Sequence, residues 1–162
     1  MPLATFSQVA RLEPLARPFM ALYQSFWQLE SIPAQTLELC RLRQAVLLGS
    51  ELAWQHEEQF IPEEKRAQLA QWCDSPLFSD AEKACLELTE VHAMDARAIS
   101  DEQADAVKAH FGDVGLVALV QALGVFDAAC RSWSAHLQGL QVPYQPEPGN
   151  RIEHTQCLHQ GH

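Results

Sequence analysis

Apolar residues recur at spacings of three and four along almost the whole chain, the periodicity of helices that bury one face. In FMALYQSFW, Phe19, Tyr23, Phe26 and Trp27 share a helix face, and Pro18 suits the first helical position. That aromatic stripe reads as core rather than as a ligand box. A second helix is predicted from about Pro33 to Leu48, stopped by Gly49. Ser50 is the expected N-cap of a third helix, SELAWQHEEQF, running to the break at Ile61-Pro62. A fourth, PEEKRAQLAQWC, begins with Pro62 and acidic residues that suit a positive helix N-terminus. Two more open on capping-box spacings, Ser79 with Glu82 and Ser100 with Gln103. The last helix is expected from about Asp113 to Leu140. Its segment VGLVALVQALGVFDAACRSW is apolar nearly all round and calls for enclosure, part of it by another subunit. No strand pattern or repeat emerges. The fold class is therefore all-α, six to seven helices built around an antiparallel pair. One domain is expected over residues 1–142, with a proline-containing linker and tail over 143–162.

Composition narrows the partners. The 162 residues carry 11 Lys plus Arg against 21 Asp plus Glu, a formal net charge of −10. Such a surface repels phosphate backbones and anionic bilayers, so neither nucleic acid nor a membrane is an expected partner. The opening MPLATFSQVARLEPLARPF has no apolar run of signal-peptide length, and no run of consecutive apolar residues reaches membrane-spanning length. Cys40, Cys73, Cys85, Cys130 and Cys157 have no paired spacing and read as reduced, mostly core-filling thiols. The expectation is a cytoplasmic protein.

Candidate chemistry gathers around Gly49. Glu38 is flanked by Leu37, Leu39 and Cys40, and a carboxyl group buried there would be pushed toward a neutral pKa suited to proton transfer. The bland alternative is an ion pair with Arg41 on a solvated face. Glu38 and Glu57 lie roughly 16 Å and 12 Å of helix from the turn. A hairpin would therefore return residues 56 and 57 to within a turn of Glu38. His56 and Glu57 point about 100° apart on a helix and cannot both face it. Taken alone, His56 reads more readily as a hydrogen-bonded structural histidine than as a catalyst.

The stretches LELCRLRQAVLLGSELAWQHEEQF, FSDAEKACLELTEVHA and ISDEQADAVKAHFGDVGLVALVQALGVFDAACRSW resemble the carboxymuconolactone decarboxylase and alkylhydroperoxidase D-like (AhpD-like) superfamily. The resemblance covers most of residues 30–140. In its peroxidase members a glutamate precedes a CxxC pair and a histidine follows, forming a redox dithiol with a proton relay. Glu38 matches the glutamate, Ser50 and Ala53 stand at the two cysteine positions, and Glu57 stands at the histidine position, with His56 one residue early. Trp54 matches an aromatic found there in members lacking the second cysteine. Arg131 resembles the arginine of the last helix, and Asp127 stands where asparagine is commoner. Serine and alanine cannot cycle through a sulfenic acid or a disulfide, so dithiol peroxidase chemistry is not expected here.

The resemblance implies an AhpD-like helical bundle, a homo-oligomer (trimer or hexamer) and a small-molecule substrate or ligand. Three functions compete. The first is a cofactor-free acid–base enzyme on a small organic acid or lactone. There Glu38 would move the proton, His56 or Glu57 would be its partner, and Ser50 at the third-helix N-terminus would hold an anionic oxygen. The second is a non-catalytic ligand-binding or scaffold protein, favoured by a closed, wholly apolar pocket with Glu38 paired to an arginine. The third is a residual thiol peroxidase using a distant cysteine. No cofactor and no metal are expected. His154, Cys157, His159 and His162 are ligand types, but their spacings match no standard zinc site and read as a tail.

Overall fold

A computed structural model describes residues 14–139. The tail residues His154, Cys157, His159 and His162 lie outside the described residues. The elements are α1 (Ala16–Ser25), α2 (Ala34–Leu47), α3 (Glu51–Gln55), α4 (Glu63–Ala67), α5 (Asp80–Asp95) and α6 (Asp101–Gly139). Short 3-10 turns follow α1, α4 and α5, and no strand occurs among the described residues. The all-α expectation is met.

The centre of the molecule is α2. Ten consecutive residues, Thr36 to Ala45, are buried, charged and apolar alike. A helix enclosed on all sides must satisfy its polar groups from inside the protein. Arg43 on α2 does so in part with Glu90 on α5: its Nε and Nη2 both lie 2.7 Å from Glu90 Oε1, which also accepts from Trp72 Nε1 at 2.7 Å, while Arg43 Nη1 meets no acceptor among the described residues. Gln44 Nε2 donates to the Leu123 carbonyl of α6 at 3.2 Å. These bonds tie α2 to the helices that cover it, while Leu37, Leu42, Leu86, Leu88, Leu119 and Phe126 supply the apolar core.

Helix boundaries follow local chemistry. Gly49, with φ 63°, ends α2. The bonds Ser50 N–H to Ala45 O (2.8 Å) and Gly49 N–H to Val46 O (3.1 Å) form a Schellman motif there. Both halves of the Ser79–Glu82 capping box are present at α5. Ser100 and Gln103 cap α6 reciprocally, at 3.1 and 3.2 Å. Other expectations need correction. Pro18 is the third residue of α1, still inside the first turn where its missing N–H costs no helix bond. The expected fourth helix is split, Glu63–Ala67 and then a 3-10 turn, Leu69–Gln71.

The two expected C-terminal helices are continuous through a kink at Gly112, whose φ 67° and ψ −177° lie outside the helical region. By length and composition α6 could cross a bilayer, yet here it packs along α2, α3 and α5. The expected enclosure of α6 is incomplete within one chain. Val114, Val117, Gln121, Gly124 and Ala128, at alternating three- and four-residue spacing, are exposed.

Candidate functional site

The chain doubles back at Gly49 as the hairpin argument requires, but α3 is five residues long. The reason is side-chain capture of its last carbonyls. Arg41 Nη1 donates to Ala53 O at 2.7 Å and Nη2 to His56 O at 2.5 Å, and Arg66 donates to Trp54 O. Arg66 also lies over the Trp54 ring, 4.6 Å from its centroid. Guanidinium groups on the C-terminal carbonyls end the helix, and His56 is already extended, with ψ 131°.

The early end changes which glutamate faces inward. Glu57 is exposed, and its carboxylate accepts from Ile61 N–H at 3.2 Å. Glu58 turns back instead. Its N–H donates to Glu38 Oε1 at 3.2 Å, and its Oε1 stands 3.2 Å from His56 Nε2.

Glu38 is fully buried. Arg41 grips it with two bonds, Nε to Oε2 at 2.8 Å and Nη2 to Oε1 at 2.7 Å. The pair is the i, i+3 ion pair expected as the bland alternative, moved from a solvated face into the interior. Both carboxylate oxygens are therefore engaged, and the guanidinium bridges Glu38 to the α3 carbonyls. This arrangement is a clasp between α2 and the segment that carries His56.

Ser50 occupies the N-cap position of α3 but makes no capping bond. It is buried, and its hydroxyl donates over 3.5 Å to the Cys130 carbonyl of α6. A single-turn helix and an inward hydroxyl do not make the anion site expected at this N-terminus. The Cys130 thiol is buried beside the group, and burial pushes it up to about 11 despite the downward pull of Arg41. Cys40 and Cys85 are also free and buried, and the Cys85 thiol is raised by its hydrogen bond to Cys40 and by burial. Cys73 is in a disulfide, so the reading of the cysteines as reduced holds for the three core ones. A neutral, buried thiol is a poor nucleophile. Arg131 pairs with Asp127 at 2.7 Å on an exposed face. No group of three or more metal-ligand side chains occurs among the described residues.

Sequence reasoning missed two contributors. Glu58 was hidden by the assumption that α3 continues, which places it on the outer face. Tyr23 was assigned to the core stripe, and its ring is indeed core, packed edge-on to Trp27 and Phe126 at 5.9 and 5.6 Å. Its hydroxyl, however, is buried near Glu38, Arg41 and Glu58, with the Glu58 carboxylate as its acceptor. Desolvation is the main cause holding the phenol well above its usual pKa, with Glu58 and Glu38 adding to it and Arg41 opposing. Trp27, a turn further along, stacks on Phe126 at 5.3 Å, and its buried indole N–H meets no acceptor among the described residues.

Neither a protein-family model nor a curated protein matches this chain. Among solved structures, it is similar to a protein of unknown function from Agrobacterium tumefaciens, described there as a candidate AhpD antioxidant defence protein. The TM-score is 0.66 at 20% identity, over 86% of this chain and 97% of that one. The fold is accordingly AhpD-like.

Proposed function

We propose that the protein is a cofactor-free acid–base enzyme acting on a small lactone-like carbonyl compound. The supporting observation is the His56–Glu58 pair, 3.2 Å apart, with side chains 22% and 10% exposed. It is an imidazole that solvent can reach, backed by a carboxylate and mounted on a buried clasp. Glu58 orients the imidazole and balances the charge it gains on protonation, so the ring is the group that takes or returns a proton. Glu38 and Arg41 hold the His56 backbone in place, so proton transfer passes from Glu38, where the sequence put it, to His56. Glu57 and Ser50 take no part in this scheme.

Turnover of a lactone panel by the wild type, His56→Gln and Glu38→Gln tests it. The reading expects His56→Gln to lose turnover by about 100-fold or more at unchanged folding. Wild-type turnover that survives His56→Gln would defeat it.

A second reading, a non-catalytic ligand binder, is favoured by the full engagement of Glu38, which removes the expected relay group from chemistry. Saturable binding across the panel with no turnover by the wild type would decide for it. In both readings we take the protein to be a cytoplasmic homo-oligomer, trimer or hexamer. The exposed Val114 and Val117 of α6 support a subunit contact there.

A further inference from the structure

Glu58 orients His56, and Glu58 must be oriented in its turn. It lies beyond the end of α3, in the segment before α4, where no helix fixes its side chain. Its N–H donates to Glu38 Oε1 at 3.2 Å, which holds the backbone but does not select a rotamer for the carboxylate. A carboxylate that swung out to solvent would no longer meet the imidazole. The 3.2 Å contact with His56 Nε2 therefore needs a second hold on Glu58.

That hold comes from α1. The Tyr23 hydroxyl donates to the Glu58 carboxylate, and Tyr23 is 1% exposed. Its ring stands edge-on to Trp27 and to Phe126 of α6, while Phe126 meets Phe26 at 6.2 Å and stacks on Trp27. A ring enclosed in this way is confined to one rotamer. The phenol is thus placed by the packing of α1 on α6, independently of the segment that carries His56. Burial holds it well above its usual pKa, so it stays a donor throughout the neutral range. Arg41, the cation acting on this phenol, aims Nε, Nη1 and Nη2 at Glu38 and at the Ala53 and His56 carbonyls.

We propose that Tyr23 is a positioning residue for the acid–base step: its O–H fixes the Glu58 carboxylate against the His56 ring, so that phenol, carboxylate and imidazole form one chain. The inference rests on the acid–base reading for the reaction, whereas the chain itself stands on the contacts. Arg41 holds the backbone of His56, and Tyr23 holds the carboxylate that faces its ring. A carboxylate already in place stabilises the imidazolium as it forms, with no reorganisation at the moment of proton transfer. Tyr23 works through Glu58, so its loss should lower the rate and spare substrate affinity.

The test compares the wild type, Tyr23→Phe, Glu58→Ala and the double variant, with circular dichroism confirming each fold. Exchange of the α-protons of cyclohexanone in D2O, measured as initial rates over a range of ketone concentrations, gives kcat and KM. Tyr23→Phe should lower kcat by about 5- to 10-fold with KM within about 2-fold of wild type. On the Glu58→Ala background the same change should alter kcat by less than about 2-fold, because its route to His56 is gone. A second readout does not depend on turnover: the ring nitrogen resonances of His56 in 15N-labelled protein, assigned with His56→Gln. They should move by more than a linewidth in Tyr23→Phe, and should not respond to that change on the Glu58→Ala background. Equal factors in both backgrounds, or ring resonances indifferent to Tyr23→Phe, would overturn the chain. His56-dependent exchange with kcat unchanged in Tyr23→Phe would overturn it as well and leave the catalytic reading. Ring resonances that respond as stated, in a wild type with no exchange above buffer, would remove the catalytic reading and leave the chain.

Discussion

Replacing Arg41 with methionine should be among the most damaging single changes in the molecule. The side chain is 1% exposed and its partner Glu38 is fully buried. Removing one member of such a pair strands the other charge in a medium that cannot solvate it, at about 3–5 kcal/mol. Arg41→Met also strips a donor from the carbonyls of Ala53 and His56, each worth about 1 kcal/mol. The loss should therefore be about 5–7 kcal/mol, against a total stability of about 5–15 kcal/mol for a domain. Equilibrium urea unfolding followed by circular dichroism would measure it. Should that variant fail to fold, Glu38→Gln offers a milder route to the same quantity at about 2–4 kcal/mol, since the amide keeps an acceptor but no charge. The double variant Glu38→Leu/Arg41→Met should be more stable than Arg41→Met alone, because no buried charge is left unpaired. Arg131→Gln, breaking the exposed pair with Asp127, should cost under about 0.5 kcal/mol. An Arg41→Met protein no less stable than Arg131→Gln would refute the clasp.

Other outcomes follow from the same structure. Tyr23→Phe should cost about 1–3 kcal/mol, because it removes the phenol O–H that the Glu58 carboxylate accepts from; a variant as stable as the wild type in urea would contradict this. Gly112→Ala should cost about 1–3 kcal/mol from backbone strain alone, since φ 67° with ψ −177° is glycine territory and no atom lies within 4 Å of the added Cβ; an unchanged thermal midpoint would contradict this. Burial lowers the pKa of His92, with Asp127 pulling weakly the other way. The unfolded chain then binds that proton first, so this contribution is complete above an unfolded pKa of about 6.5 and is lost as pH falls through the lower folded value. His92→Gln should flatten the decline of stability with acidification below about pH 6.5, and an unaltered slope would argue against it.

Much of this architecture was legible because periodicity and caps are local. Gly49 closes a Schellman motif and Ser79 a capping box through neighbours a few residues away, and both stand where the sequence puts them. The doubling back at Gly49 was legible for the same reason. What was not legible depends on contacts made across the fold. Nothing near His56 says that α3 will end there, because the cause is Arg41, far back along the chain, and Arg66 beyond the next turn. That single boundary exchanges Glu57 for Glu58 in the interior. The burial of α2 on every side was equally hidden, since its charged residues look like a solvated face until Glu90 and the α3 carbonyls are in place.

The claim on which the functional account turns is that His56, held by Glu58, moves a proton at a carbonyl compound. Wash-out of the α-protons of cyclohexanone in D2O, followed by proton NMR with catalytic amounts of protein, measures that step with no need to know the natural substrate. The account predicts exchange at least about 100-fold above buffer for the wild type, and exchange at the buffer rate for a folded His56→Gln. Exchange at the buffer rate in the wild type, or equal exchange in both proteins, would contradict it.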